Sequence, residues 1–132
     1  MVDTQFTNEE VDYLIHLIEK AEGVSEFHER GIREDWFHDD TWSSELRVLH
    51  LFELRLTISR VQFIHRRNGL MTALFHFFLE HCKRNHIREI VVQSVETKAM
   101  ANWCMKNGFE LVHATAIQLD GFSAGDYKFT IH

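Results

Sequence analysis

The order of hydrophobic and polar positions predicts an amphipathic helix near the start of the chain. The run Thr7-Asn8-Glu9-Glu10 matches a capping box, in which the N-cap hydroxyl and a carboxylate three residues later bond each other's backbone amides. Apolar residues then recur at the spacing of one helical face: Val11, Leu14, Ile15 and Ile18. We predict that this helix ends near Gly23, with a short edge strand over 2–6 before it and a weaker helical segment over 25–33 after it.

Alternation marks residues 45–64, where apolar side chains occupy every second position over much of the stretch. The pattern is too long for one typical strand, so we predict two antiparallel strands with a turn around residues 53–56. No glycine, proline or Asn-Gly pair marks that turn, and a helix over 44–54 is the alternative.

A strand, a turn and a second helix are predicted in the middle of the chain. The β-rich segment 61–64 precedes a basic, glycine-containing turn. A helical stripe follows, and it predicts a helix to about Asn85: Leu70, Ala73, Leu74, Phe77, Phe78 and His81. Residues 87–95 are rich in β-branched residues, which is typical of a strand buried on both faces.

The last third of the chain continues the alternation of helix and strand. A helix over 97–106 ends at Asn107-Gly108, a common C-terminal signal. A strand is predicted over 110–117 and another over 127–131, with a loop over 118–126 between them. The second half of the chain therefore reads as β-α-β-α-β.

The turn after residue 64 has chemistry that suits an anion. The first turn of a helix presents unpaired N–H groups and the positive end of the helix dipole. Gly69 allows close approach to the backbone, and Arg66 and Arg67 add charge suited to phosphate. Because the chain as a whole is acidic, this local basic cluster favours a small anion over a polynucleotide.

Two motifs in this region resemble those of the Gcn5-related N-acetyltransferase superfamily. The family's central motif, Arg/Gln-x-x-Gly-x-Gly/Ala after its fourth strand, is similar to Arg66-Arg67-Asn68-Gly69-Leu70-Met71. Its second marker, a helix that ends in Gly-Phe, is similar to Gly108-Phe109. The resemblance is good over 58–117. It implies an α/β (α+β) fold for a single domain over 1–132: a mixed, mostly antiparallel central sheet flanked by helices, with a splayed pair of parallel strands.

The resemblance implies that acetyl-CoA is the co-substrate and that the motif's backbone amides hold its pyrophosphate. The residues it assigns to cofactor binding are Phe63, Ile64, Arg66, Arg67, Asn68, Gly69, Leu70, Met71 and Thr72. A backbone N–H near Phe63 would donate to the thioester oxygen. Met71 departs from the small residue usual in the family, so its side chain must turn away from the pyrophosphate.

Acyl transfer to an amine also needs a base for the amine and an acid for the departing thiolate. Candidate bases are Glu53 and Glu96, and His50 and His65 also lie near the predicted cleft strand. Cys104 stands where the family often carries a proton-donating tyrosine. A thiol can donate a proton, but a buried cysteine is commonly just a small hydrophobe.

The function implied is acetyl-CoA-dependent transfer of an acetyl group to a primary amine of a small molecule or protein. Met71 and Cys104 motivate an alternative, a non-catalytic acyl-CoA-binding or regulatory module. A third possibility is a structural or interaction domain without a nucleotide ligand, which would show no thermal shift with CoA.

The composition limits the partners and the cellular compartment that we expect. The net charge of −6 on 132 residues argues against nucleic acid as a partner. No signal-like n-region and no apolar run near 18 residues occur, so we expect neither secretion nor a membrane. Cys82 and Cys104 lack metal-ligand spacing, which favours a reduced, cytoplasmic protein.

The histidines and aromatic residues of the second predicted helix complete the candidate chemistry. His76, His81 and His86 recur five positions apart rather than at the three or four that helical zinc ligands need, so we expect no metal. Phe75, Phe77 and Phe78 exceed one apolar stripe, which predicts a thick core or a homodimer contact.

Overall fold

The computed structural model describes residues 4–65 and 69–132, which form a mixed β-sheet with three α-helices. The elements, in chain order, are α1 (Asn8–Glu22), β1 (Phe27–Gly31), β2 (Glu34–His38), β3 (Glu45–Leu51), β4 (Arg55–Gln62), α2 (Leu70–Arg84), β5 (Glu89–Val95), α3 (Lys98–Lys106), β6 (Glu110–Leu111), β7 (Ile117–Leu119) and β8 (Phe122–Thr130). The strand order is β1-β2-β3-β4-β5-β8-β6, with β7 paired to β8. Within the described ranges β4 and β5 form the parallel pair, and the other pairings are antiparallel. The predicted fold class is confirmed.

The helices begin and end where the sequence signals place them. The capping box of α1 is present, because Thr7 Oγ1 accepts the Glu10 N–H at 3.1 Å and the Glu10 carboxylate accepts the Thr7 N–H at 2.9 Å. Gly23 ends α1 in the left-handed conformation, with φ of 72°. Helix α3 is capped by Thr97, whose side chain accepts the Met100 N–H.

The two-strand prediction for residues 45–64 is confirmed, and the alternative helix over 44–54 is wrong. Strands β3 and β4 pair in antiparallel register, and the turn between them occupies residues 52–54, close to the predicted position. Phe52 takes a positive φ of 49° in that turn. A non-glycine residue in the left-handed region explains why the usual turn signal was missing.

The helical segment predicted over 25–33 is wrong, because the chain there forms β1 in a hairpin with β2. Buried Asp35 on β2 explains the difference. Its carboxylate lies 2.6 Å from His28 Nε2 and accepts a hydrogen bond from Arg30 Nε at 2.9 Å. His50 Nε2 on β3 reaches the other carboxylate oxygen at 2.8 Å. These cross-strand contacts fix alternate residues of β1 on one face, which a helical pattern cannot reveal.

The end of the chain also departs from the prediction. The strand expected over 110–117 stops at Leu111, and a short 3-10 turn follows it. The loop expected over 118–126 is instead the β7–β8 hairpin, whose two-residue connection is Asp120-Gly121. Gly121 has φ of 80° in this turn, a left-handed conformation that glycine adopts without steric cost. The hairpin signal was therefore present in the sequence.

The edge strand expected over 2–6 is not formed by the part that the structure describes. Residues 1–3 lie outside the described ranges, and Thr4–Phe6 is not in a strand. Thr4 donates its hydroxyl to Phe52 O at 3.0 Å, and Phe6 is buried in the core. This segment is tied to the turn between β3 and β4 rather than to a sheet edge.

The aromatic residues of α2 fill a thick core. Phe78 is fully buried, and the ring of Phe75 contacts those of Trp103, Phe109 and Phe129. Phe77 stacks on Tyr13 of α1, with ring centroids 5.0 Å apart. These contacts account for the aromatic excess within one copy of the chain, and the homodimer stays a prediction.

Candidate functional site

The candidate site is the opening between β4 and β5. Their parallel register ends with the pair Ile58–Val92. Beyond it β4 continues along β3 to Gln62, and β5 continues along β8 to Val95. No further β4–β5 pair occurs in the described ranges, so the strands part toward their carboxyl ends, as the predicted splayed pair requires. Ligands of open α/β sheets commonly bind outside this edge.

Two bulges accompany the parting of the strands. On β4, Ser59 is an extra residue opposite the Arg47–Val48 step of β3. On β5, the register shifts within 92–95, and Ser94 adopts a φ of 55°. The Ser94 N–H donates to Asp126 Oδ1 at 2.8 Å, which fixes this strained residue. Bulges bend a strand and increase its twist, so both strands turn away from a shared ladder.

Helix α2 begins at the same edge of the sheet, because it follows β4 in the chain. Its N-cap is Gly69, with φ of 80°, and this residue supplies no side-chain hydrogen bond to the first turn. A Cβ at Gly69 would meet nothing within 4 Å, so the backbone conformation demands glycine and the space beside it is open. Residues 66–68, and with them the predicted roles of Arg66, Arg67 and Asn68, lie outside the described ranges.

The first turn of α2 is anchored to the rest of the molecule through its side chains. Leu70 is buried, and Met71 packs against the hydrophobic core, which is the orientation that its departure from the family motif requires. Thr72 Oγ1 accepts a hydrogen bond from Trp103 Nε1 of α3 at 3.1 Å. The side chains of this turn therefore point into the fold, and an anion at this turn would meet backbone.

Glu22, the last residue of α1, holds the segment between β4 and α2. Its buried carboxylate accepts the backbone N–H groups of Ile64 and His65, at 2.5 and 2.8 Å, and His65 Nδ1 lies 3.1 Å away. Hydrogen bonds to an ionised acceptor are about twice as strong as neutral ones. The amide of Ile64, predicted to bind the cofactor, is thus bonded to the protein in this conformation. Phe63 is half-buried against the core, and its role as oxyanion donor stays a prediction.

The two candidate bases from the sequence lie at opposite ends of the sheet. Glu53 is in the turn before β4, where its carbonyl accepts the Arg88 N–H. The eight residues of β4 separate that turn from Phe63, roughly 25 Å along the strand. Glu96 follows β5, is exposed and lies at the same edge as the opening. The two candidate histidines have different surroundings. His50 is buried and pairs with Asp35, whereas the more exposed His65 contacts Glu22.

Cys104 lies in the core, on the buried face of α3. Its side chain is inaccessible to solvent, and burial raises the pKa of the thiol to about 12. Since a CoA-like thiolate has a pKa near 8.5, proton transfer from Cys104 would be uphill by roughly 5 kcal/mol. Tyr127 is its neighbour, and its hydroxyl donates to Ser123 O at 2.7 Å. The burial of Cys104 is typical of a packing residue.

One buried carboxyl group at this edge was not found from the sequence. Glu26 precedes β1 and is only 7% exposed. Its Oε1 accepts the Ser44 hydroxyl at 2.8 Å, while Oε2 has no hydrogen-bond partner among the described residues. Burial, with Asp39 and Glu22 nearby, raises the pKa of Glu26 to about 7. The available signal was the acidic spacing Glu19, Glu22 and Glu26 across the end of α1, which reads equally well as a solvated helix face.

No protein-family model matches the sequence, and no curated protein matches it. Among solved structures, the ribosomal-protein-S18-alanine N-acetyltransferase from Escherichia coli superimposes with a TM-score of 0.54 at 14% identity, covering 96% of this chain and 90% of that one. Nourseothricin acetyltransferase gives 0.53 at 15% identity, with 74% of this chain covered.

A third solved structure is the N-acetylglutamate synthase from Neisseria gonorrhoeae complexed with coenzyme A and L-arginine. It gives a TM-score of 0.51 at 11% identity over 97% of this chain. The chain spans 64% of the length of nourseothricin acetyltransferase and 32% of that of the synthase.

The sheet with its splayed parallel strands places the chain in the acetyltransferase class of folds. It is the fold of the Gcn5-related N-acetyltransferases, as the resemblance predicted. In the part of the chain that the structure describes, no helix is long and apolar enough to span a membrane. The described side chains also contain no group of three or more His, Cys, Asp or Glu residues arranged to hold a metal ion.

Proposed function

We propose that the protein is an acetyl-CoA-dependent N-acetyltransferase that acetylates a primary amine. The observation that carries this proposal is the coincidence of two features at one sheet edge. The parallel strands β4 and β5 part there, and α2 begins there at Gly69, which itself supplies no side-chain cap. An extended acyl carrier can lie between parted strands, while its pyrophosphate meets helix amides and the positive end of the dipole.

The residues at this edge fit the co-substrate. Open space lies beside Gly69, and Met71 is turned into the core, so backbone amides at the start of α2 would meet the pyrophosphate. The N–H near Phe63 would face the thioester oxygen, as the resemblance implies. When bound, acetyl-CoA supplies the activated acetyl group. The chain supplies orientation and a base. Of the two bases predicted from the sequence, Glu96 follows β5 at this edge, whereas Glu53 precedes β4 at the other end of that strand.

The acceptor is expected to be cationic, because the net charge of the chain is −6. The Escherichia coli enzyme with this fold acts, by its name, on the alanine of a ribosomal protein, and the Neisseria gonorrhoeae protein is, by its name, a synthase of N-acetylglutamate. We therefore propose a primary amine without assigning it to a protein or a small molecule. The two free, buried cysteines suit the reducing cytoplasm that the sequence predicts.

The test combines cofactor binding with turnover. Acetyl-CoA at ~100 times its dissociation constant should add about 2.7 kcal/mol to the free energy of unfolding, which raises the melting temperature by roughly 10 °C. Release of the CoA thiol in the presence of a panel of primary amines then measures transfer. Absence of any thermal shift would contradict the proposal and favour an interaction domain.

Cys104 is the observation that favours the alternative, a non-catalytic acyl-CoA-binding module. A buried thiol with a pKa of about 12 is a poor replacement for a phenol at the proton-donating position. The alternative predicts the same thermal shift with acetyl-CoA and no release of CoA with any amine. Turnover with one amine above the hydrolysis background would exclude it.

A further inference from the structure

A group of buried acidic and polar side chains lies beside the opening, on the side of β3. This group, the Glu26 cluster, consists of Glu22, Glu26, Asp39 and Ser44, each at most 7% exposed. Its members come from the end of α1, the segment before β1 and the two ends of the β2–β3 connection. Three carboxyl groups buried together without an equal number of cations are unusual, because each must be neutralised or hydrogen-bonded.

The cluster has one unsatisfied atom. The Asp39 carboxylate accepts the Ser44 N–H at 3.1 Å and the Thr41 hydroxyl at 2.9 Å, and Glu22 accepts the amides described above. In the described residues, Oε2 of Glu26 is buried and has no partner. A buried carboxyl oxygen without a donor costs about 1–3 kcal/mol or more. The position therefore calls for a ligand that donates a hydrogen bond.

Two contacts link the cluster to the site of acyl transfer. Glu22 bonds the two residues that follow β4, which places the cluster next to the carboxyl end of that strand. Glu45, adjacent to Ser44, pairs with Gln62, the last residue of β4. The unpartnered oxygen therefore belongs to the same sheet edge as the opening, on its β3 side.

The charges around Glu26 favour a cation. From α1, Glu19 accepts the Glu26 N–H through its carboxylate, and Glu22 faces it. From the end of β2, Asp39 is acidic, while His38 is the nearby group that can carry positive charge and is already paired with Glu29. The remaining acidic excess complements a cation with N–H donors. An ammonium group offers three such donors on one compact charge.

We propose that the Glu26 cluster binds the ammonium group of the acceptor and that Glu26 is the base that deprotonates it; this rests on the proposed function. An N–H bond of the ammonium breaks, and an O–H bond forms at Oε2 of Glu26. The amine keeps the electron pair that acyl transfer requires. Glu26 later releases the proton to solvent.

The acidity of Glu26 agrees with this role. A general base works best when its pKa lies near the working pH. Burial, together with Asp39 and Glu22, raises the pKa of Glu26 to about 7, although the Ser44 hydroxyl opposes the shift. At neutral pH a large fraction of the molecules therefore carries the carboxylate.

A purely structural role of Glu26 predicts a different effect of substitution on enzymatic activity. If Glu26 only fills space, Glu26→Gln keeps the shape, removes the burial penalty of the charge and leaves activity intact. If Glu26 is the base, the same substitution stabilises the protein and removes turnover, a trade-off found at functional sites. Exposed Glu80 on α2 offers a matched control, Glu80→Gln.

The first experiment measures CoA release from acetyl-CoA with 1,4-diaminobutane as acceptor, in parallel with the acetyl-CoA thermal shift. We expect Glu26→Gln to bind acetyl-CoA as the wild type does and to lose at least 100-fold in kcat, while Glu80→Gln matches the wild type. The wild-type rate should rise with pH around 7. Ser44→Ala removes the hydrogen bond from the Ser44 hydroxyl, which lowers the pKa of Glu26. The pH at which the rate rises should therefore be higher in this variant. A wild-type rate and pH profile in Glu26→Gln would overturn the proposal.

A second measurement separates this proposal from the proposed function. The pH titration of Glu26 is followed by NMR with and without 1,4-diaminobutane, in the absence of cofactor. Binding of the diamine at the cluster should lower the pKa of Glu26, and the diamine should not bind Glu26→Gln. If the wild type fails to bind acetyl-CoA but shows this pKa shift, the acyl-transfer function is contradicted and the amine-binding site is supported. If the titration is unchanged by the diamine, the amine site falls.

Discussion

At the scale of single residues, burial has opposite consequences for Glu26 and Cys104. Both groups lose water, and in both the neutral form is favoured, so both pKa values rise. For the carboxyl group the rise reaches about 7, where it can exchange a proton at neutral pH. For the thiol the rise reaches about 12, which removes it from that range. The same physical cause makes Glu26 a candidate base and makes Cys104 a packing residue.

The first prediction at this scale concerns Cys104. We expect Cys104→Ala to lower the free energy of unfolding by about 1 kcal/mol, because it removes one buried sulfur atom. If turnover is present in the wild type, kcat should change by less than threefold. Chemical denaturation and the CoA-release assay measure the two effects. A loss of 100-fold in kcat with little loss of stability would restore Cys104 as the acid.

The second prediction concerns stability and pH at Glu26. The pKa of Glu26 in the folded protein, about 7, lies above its ordinary value of 4.5. Folding therefore favours the protonated form, and stability decreases as pH rises from about 4.5 to 7. Glu26→Gln does not titrate, so the variant should gain on the wild type across this window, up to roughly 3 kcal/mol above pH 7. Urea unfolding at pH 5 and pH 8 tests this; an equal difference at both values would contradict it.

At the scale of elements, local signals located the helices and missed two hairpins. The capping box at Thr7 and the stops at Gly23 and Asn107 act within a few residues, so the sequence alone reveals them. Strand β1 depends on Asp35, which its partners reach only once the hairpin has formed. The β7–β8 hairpin carried its Asp-Gly signal between two short alternating runs, Ile117-Gln118-Leu119 and Phe122-Ser123-Ala124, but β7 has only three residues and all of them are exposed, so burial gives this strand little support.

The residues of the candidate site also fall into two groups: those marked by a local sequence motif and those positioned by contacts distant in sequence. Gly69 and its helix start follow from a local motif, and the sequence placed them correctly within the fold. Glu22 and Glu26 act across distances of 42 and 18 residues, on Ile64 and Ser44 respectively. Such partners depend on the packing of α1 against the sheet, which no local spacing encodes. Glu53 was favoured for its nearness to β4 in sequence, although the strand direction carries it to the far end.

The prediction at this scale compares two glycines with similar backbones. Gly69 and Gly108 have φ of 80° and 87°, so alanine at either position should destabilise the fold by about 1–2 kcal/mol. The Cβ at Gly69 would enter the open space beside the start of α2, whereas at Gly108 it would meet the ring of Phe129. We expect Gly69→Ala to weaken acetyl-CoA binding several-fold and Gly108→Ala to leave it unchanged. Titration calorimetry measures both; equal affinities would make Gly69 a fold element.

At the scale of the whole molecule, α1 connects two distant parts of the fold through carboxylates near its two ends. Glu10, in its first turn, lies 2.7 Å from Nδ1 of buried His81 on α2, and Nε2 of that ring lies 2.8 Å from Thr4 O. Because a carbonyl only accepts, Nε2 is the ring nitrogen that donates to Thr4 O. Glu22, at the other end, bonds the segment that leads from β4 into α2.

Helix α1 has 15 residues and is about 22 Å long. We therefore expect Glu10, at its start, to affect mainly stability and Glu22, at its end, to affect mainly ligand binding. Burial raises the pKa of Glu10, but hydrogen bonds from Thr7 and His81 outweigh it and hold the pKa below the usual value. The Glu10 contribution to stability is therefore present above pH 4.5 and lost as pH falls through the lower, folded pKa. We expect Glu10→Gln to cost about 1–3 kcal/mol at pH 7, less at pH 3, and to leave acetyl-CoA affinity within twofold.

Glu22→Gln should give the complementary result. A glutamine can accept one amide through its oxygen, but its NH₂ group faces the second amide, so the segment of Ile64 and His65 loses its double anchor. We expect acetyl-CoA affinity to fall at least tenfold, because the start of the binding turn is no longer fixed before the ligand arrives. Calorimetry and urea unfolding on both variants check the pair. Tighter binding in Glu22→Gln would instead mean that Glu22 competes with the ligand for these amides, and α1 would then act as an internal inhibitor of the site.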